Sequence, residues 1–90
     1  MLREFSEAGH ADAFDPLLAW FKTTKKADWS NLADVRRDYP AADLVGDKLI
    51  FNVGGRKYRL VCRVSFEFRT IYTIWIGTHA EYNRVKVEDL

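Results

Sequence analysis

Between Asp43 and Gly77 apolar side chains return at every second position, whereas ahead of Pro40 they return at every third or fourth. A hydrophobic period that switches once, from that of a helix to that of a strand, leaves few architectures open. The helices must bury their apolar stripes on one face of a sheet built by the second half, and short connections make that sheet antiparallel. The reading is an α+β fold, with N-terminal helices packed on one face of a small, mainly antiparallel β-sheet, in one domain over residues 1–90.

In the helical half, "LREFSEA" sets Leu2 and Phe5 at i, i+3 and stops at Gly9, a natural helix terminator. Asp15-Pro16 reads as an N-cap followed by Pro at the first helical position, ahead of a stripe of Leu17, Trp20 and Phe21. Ser30 is the expected cap of a third helix running to Arg37, with Leu32 and Val35 inward and Pro40 closing it. Trp29, between these helices, is the expected core anchor. In the second half, "DLVGDKLIFNV" reads as strand, Gly46-Asp47 turn and strand. "GGR" is the next turn, and "KYRLVCRVSFE" and "IYTIWIG" are two further strands. The last is apolar on both faces and is expected at the centre of the sheet.

Composition removes several functions. Hydrophobic residues make up 48% of the chain, with three Trp, four Tyr and six Phe, enough for a packed core. No apolar run approaches the roughly 20 residues of a membrane helix. The N-terminus lacks the apolar segment of a signal peptide, so the expected location is the cytoplasm. The single Cys62 excludes an internal disulfide, and with only His10 and His79 beside it neither a zinc site nor any other metal or cofactor is expected. "NVGGRKY" lacks the spacing of a phosphate-binding loop and precedes a strand.

Charge is divided: residues 1–47 carry net −3 and residues 48–90 net +4. Lys48, Arg56, Lys57, Arg59, Arg63 and Arg69 stand against Glu67 alone in their stretch. In "KYRLVCRVSFE" the even positions Tyr58, Leu60, Cys62, Val64 and Phe66 share one face. Lys57, Arg59, Arg63 and Ser65 share the other, a row of cations roughly 7 Å apart that could receive a polyanion. On charge alone, a solvated sheet face with scattered counterions is the plainer account of such a row.

The short "EFRT" connection pairs the last two strands, placing residues near Arg59 across from residues 77–79. Arg59, Arg63, Lys57, His79 and Tyr82 then gather at one end of the sheet. Metal-independent RNA cleavage needs such a set: a base for the 2′-hydroxyl, cations for the charge on phosphate, and an acid for the departing 5′-oxygen. Each residue also has a plainer reading. His79 fits a surface loop, Tyr82 a packing residue, Glu81 a cap, and the basic strand an RNA-binding face that does not cut.

"FNVGGRKYRLVCRVSFEFRTIYTIWIGTHAEYNRV", with "LREF", "PLLAWFKTTKKADWSNLADVRRDYP" and "ADLVGDKLIF", closely resembles the HigB family of bacterial toxins, within the RelE-like group. The resemblance covers nearly the whole chain and is most specific at "FNVGG", "KYRL" and "GTHAEY". It implies the toxin of a type II toxin–antitoxin pair, an mRNA endonuclease acting on ribosome-engaged message. It also implies a protein antitoxin with a helix-turn-helix DNA-binding domain, through which alone DNA would be contacted. By the family motif, Arg59 and Lys57 are candidates for phosphate stabilisation and His79 and Tyr82 for proton transfer. Arg63, with Arg56 and Lys48, would hold the RNA backbone. The alternatives are an inhibitor that binds RNA or the ribosome without cutting, and a degenerate toxin that keeps only antitoxin binding. Family members usually open with a short strand ahead of "LREF"; this chain has none there, so a sheet edge is expected to be unprotected. Arg56 stands where the family commonly has Asn, a residue that accepts positive φ more easily.

Overall fold

The computed structural model describes residues 11–55 and 57–90; the helix expected around Leu2 and Phe5 and the turn geometry at Arg56 lie outside them. A 3₁₀ turn (Ala11–Ala13) leads into helix α1 (Phe14–Lys26), and helix α2 (Leu32–Asp38) follows. Four strands come next: β1 (Asp43–Val45), β2 (Lys48–Val53), β3 (Tyr58–Ser65) and β4 (Thr70–Thr78). A one-turn helix α3 (His79–Tyr82) and a 3₁₀ turn (Val87–Asp89) complete the chain. The strands form one antiparallel sheet in the order β1-β2-β3-β4, so the α+β arrangement is as the hydrophobic period requires.

Helix starts differ in detail from the sequence reading. Asp15 is not the cap of α1, which runs straight on from the preceding 3₁₀ turn with Ala13 at its N-cap. Pro16 therefore lies inside the first turn, where a missing N–H leaves no bond unmade. Leu17 and Trp20 are buried, but Phe21 is 52% exposed and does not belong to the core stripe. In α2 the cap is Asn31, not Ser30: its side chain accepts from the Asp34 N–H at 2.9 Å. The Asp34 carboxylate accepts in return from the Ser30 N–H at 3.0 Å, and that bond is the main reason its pKa lies below the ordinary value.

Phe51, fully buried, is the centre of the core. The rings of Trp20, Trp29 and Tyr39 surround it at centroid distances of 5.5, 6.0 and 5.2 Å. Trp29 anchors the helices as expected, and its indole N–H donates to Asp38 Oδ2 at 2.9 Å. Leu49 and Val53 of β2 and Tyr58, Leu60 and Cys62 of β3 complete this face. Burial pushes the Cys62 thiol up to about 12, so no thiolate nucleophile is available there.

The opposite face is not the unbroken row of cations that alternation suggested. Val61, between Arg59 and Arg63, is fully buried in a second apolar cluster with Ile50 and Val87, joined by Ile74, Trp75, Tyr82 and Leu90. The β3–β4 register slips here: Val61 faces Trp75 while Cys62 faces Thr73, leaving Ile74 as an extra residue. That bulge lets both Ile74 and Trp75 join the second cluster. β4 is thus apolar on both faces because the helices cover one and the C-terminal turn helps cover the other. Among the four described strands it is not central but lies at an edge, as β1 does.

Candidate active site

Arg59 lies opposite Gly77 in the β3–β4 ladder and Tyr58 opposite Thr78, the pairing expected from the short connection. The His79 N–H donates to the Lys57 carbonyl at 3.2 Å, which carries the pairing one residue further. The chain then turns sharply. Thr78 accepts from the Glu81 N–H at 3.2 Å, and the Glu81 carboxylate accepts from the Thr78 N–H at 2.7 Å. This capping box is the structural meaning of "THAEY": it closes one helical turn and brings both His79 and Tyr82 to Arg59.

Three contacts define the group. Arg59 Nε donates to His79 Nδ1 at 3.1 Å. The Arg59 guanidinium carbon stands 5.1 Å from the centre of the Tyr82 ring, a cation–π distance. Tyr82 in turn packs on Trp75 at 6.2 Å. A bond accepted at Nδ1 uses the lone pair of that nitrogen and leaves Nε2 facing away from the guanidinium. Arg59 is half-buried and His79 exposed. Both line an open cleft of about 420 Å³ whose other walls are Ala41, Asp43 and Asn52.

Gly77 makes this packing possible. A Cβ there would stand 2.6 and 2.7 Å from two atoms of the Trp75 indole, closer than any real contact. Gly77→Ala should therefore displace Trp75 and, through Tyr82, the support under Arg59. We expect a loss of about 1–3 kcal/mol, read from urea unfolding, with a shifted Trp emission maximum.

The remaining candidates are spread along the sheet. The Lys57 ammonium is ion-paired with Asp12, which also accepts from the Tyr58 hydroxyl, so this cation is turned to the segment before α1. The Lys57 bond, first, and the Tyr58 bond hold the Asp12 carboxyl below its ordinary range; their support is present at neutral pH and fades as pH falls through that lowered value. Arg63 Nε is 3.2 Å from Asp47 Oδ2, and Lys48, buried, has its ammonium 3.9 Å from Asp47 Oδ1. Arg63 and Lys48 face each other in the ladder, four residues along β3 from Arg59 and roughly 13 Å away. The second apolar cluster lies between the two groups. Arg56 lies outside the described residues. Among the described residues no group of three or more His, Cys, Asp or Glu could hold a metal ion.

Sequence reasoning missed four participants: Asp12, Asp43, Asn52 and Trp75. Two left a signal. Asn52 and Arg59 are equidistant from the midpoint of the connection 54–57, which makes them cross-strand partners. Trp75 stands two residues before Gly77 on one strand face, a spacing at which a large ring can lie over a residue without a side chain.

The chain matches the HigB toxin family, described as the RelE-like toxic component of a toxin–antitoxin system, over residues 13–85. That span includes β2, the whole Arg59–His79–Tyr82 group and the hairpin that assembles it. The chain belongs to the HigB family of toxins, and the family implies an antitoxin partner. No curated protein matches the chain. Among the described residues no helix is long and apolar enough to cross a membrane.

Proposed function

We propose that the protein is a metal-independent mRNA endonuclease that cuts message engaged by the ribosome and so arrests translation. The observation that carries this reading is the Arg59 Nε to His79 Nδ1 bond, made in an open cleft. It supports the reading because a guanidinium and an imidazole joined in one open cleft can serve the same RNA phosphate.

Arg59 keeps its Nη donors for the non-bridging oxygens, where negative charge collects as the 2′-oxygen attacks phosphorus. As phosphate draws the guanidinium toward itself, the His79 Nδ1 lone pair is released and takes the 2′-hydroxyl proton. The P–O5′ bond breaks as the O2′–P bond forms, and the 5′-oxygen acquires a proton from Tyr82 or water. The products are a 2′,3′-cyclic phosphate and a 5′-hydroxyl. Tyr82 also holds the guanidinium in place through its ring face. Lys57 and the Arg63–Lys48 pair, the latter farther along β3, would hold flanking backbone once their carboxylate partners yield to RNA phosphates. The cognate antitoxin, through its helix-turn-helix domain, would connect the complex to DNA.

Mapping RNA 5′ ends after induction, with the antitoxin absent, tests the reading. New ends inside translated messages are expected. Intact messages on stalled ribosomes would instead mean inhibition by occupancy, and unimpeded growth a toxin reduced to antitoxin binding.

A further inference from the structure

The cleft beside Arg59 has a second wall of the opposite character. Asn52 of β2 pairs with Arg59 across the sheet, and Asp43 of β1 pairs with Ile50, two residues along β2 from Asn52. Paired residues and their i, i+2 neighbours share a face, so Asp43, Asn52 and Arg59 lie on one side of the sheet, in that order. With Ala41 and His79 they wall the open cleft of about 420 Å³. Neighbouring strands lie about 4.8 Å apart, which sets β1 roughly 10 Å from β3. Asp43 is held in place from α2: Arg36 donates from Nε to the Ala42 carbonyl at 3.0 Å and from Nη2 to Asp43 Oδ1 at 3.4 Å. A carboxylate has about four lone-pair sites, and that contact takes one of them. Asn52 Oδ1 is shut off from solvent and accepts no hydrogen bond among the described residues. A half-turn of the amide, which keeps its shape, brings that acceptor to the cleft. The cleft therefore has a cationic end at Arg59 and an acceptor end at Asp43.

We infer that Asp43, with Asn52 beside it, reads the base next to the scissile phosphate and selects one that carries an exocyclic amino group. A phosphate is drawn to Arg59 and repelled by Asp43, and a nucleotide laid with its phosphate on Arg59 reaches Asp43 with its base. Adenine, cytosine and guanine each offer an N–H₂ donor on an edge that single-stranded RNA exposes. Uracil has carbonyl oxygens in place of that donor, so a carboxylate facing them loses its hydration without gaining a partner. A basic peptide would suit Asp43 but would meet Arg59 with like charge. Asp43 reads a base only if the cleft takes RNA, so this role rests on the proposed function.

The test is NMR titration of the isotope-labelled full chain with four 2′-O-methyl trinucleotides, uridine at both ends and A, C, G or U in the middle. The methyl group blocks attack by the 2′-oxygen, so binding is read without cutting. The A, C and G forms should bind about tenfold or more tightly than the U form, with shifts at Asp43, Asn52, Arg59 and His79. Asp43→Asn, at an exposed position, should stay folded and bring that ratio to about threefold or less, because its amide N–H₂ donates to a uracil carbonyl. Asn52→Ala should also lower the ratio, by weakening the A, C and G forms alone. Equal affinity for all four forms would overturn the proposal, as would the parental ratio in either variant or no binding of any form. Mapped RNA 5′ ends judge cleavage separately: new ends without base selection refute the base reader alone, and base selection without new ends refutes cleavage alone.

Discussion

Arg59→Ala should lose RNA cleavage by about 10²–10³-fold, and with it the growth arrest, while the protein stays folded. The magnitude follows from removing one preorganised donor from the charge that develops on phosphate. Two further consequences reinforce it. His79 loses the bond that orients its ring, and Tyr82 loses the cation that it faces. Stability should barely change, because Arg59 is only half-buried and its contacts are not part of the main core. The measurement pairs a cleavage assay with circular dichroism and urea unfolding. A folded Arg59→Ala chain that cuts as fast as the parent would remove Arg59 from the chemistry.

Phe51→Ala should have the largest effect on stability, about 3–5 kcal/mol. Phe51 is fully buried and touches aromatic rings from α1, from the α1–α2 connection and from the end of α2. Removing it opens a cavity where helices and sheet meet, and three large rings cannot collapse to fill it. Against a total stability of about 5–15 kcal/mol for a domain of this kind, the loss is a large part of the margin. Urea unfolding should show a much lower midpoint, with toxicity falling because less chain is folded. The two variants thus separate chemistry from fold: Arg59→Ala keeps the structure and Phe51→Ala does not.

The parts of the molecule legible in sequence were those set by local period and turn chemistry. Alternation placed Tyr58, Leu60 and Cys62 in the core, and the short β3–β4 connection placed Arg59 near Gly77 and His79. What misled was any inference that assumed an uninterrupted pattern. The bulge at Ile74 breaks period two, so alternation could not show that Val61 and Trp75 sit in a second apolar cluster. An apolar β4 suggested a central strand, when coverage of its second face by the C-terminal turn produces the same composition. Cap choice was off by one at Ser30 and Asn31, because both residues can accept from an N–H and only the chain's path decides between them. In the site, Arg59, His79 and Tyr82 lie in strings whose local rules bring them together. Lys57, Arg63 and Lys48 were grouped with them by charge, yet their partners, Asp12 and Asp47, come from turns whose position strand alternation does not set.

Arg59 and His79 are proposed to cut RNA by attack of its own 2′-hydroxyl, with no metal. The most direct measurement is the chemistry of fragment ends produced by the purified protein on translating ribosomes, with ribosomes then removed and the ends characterised. Excess chelator specific for transition metals, which spares the magnesium that ribosomes need, should leave cleavage unchanged. The expected ends are 5′-hydroxyl and 2′,3′-cyclic phosphate, and they disappear with Arg59→Ala. Fragments ending in 5′-phosphate, or full-length message after prolonged incubation, would contradict it.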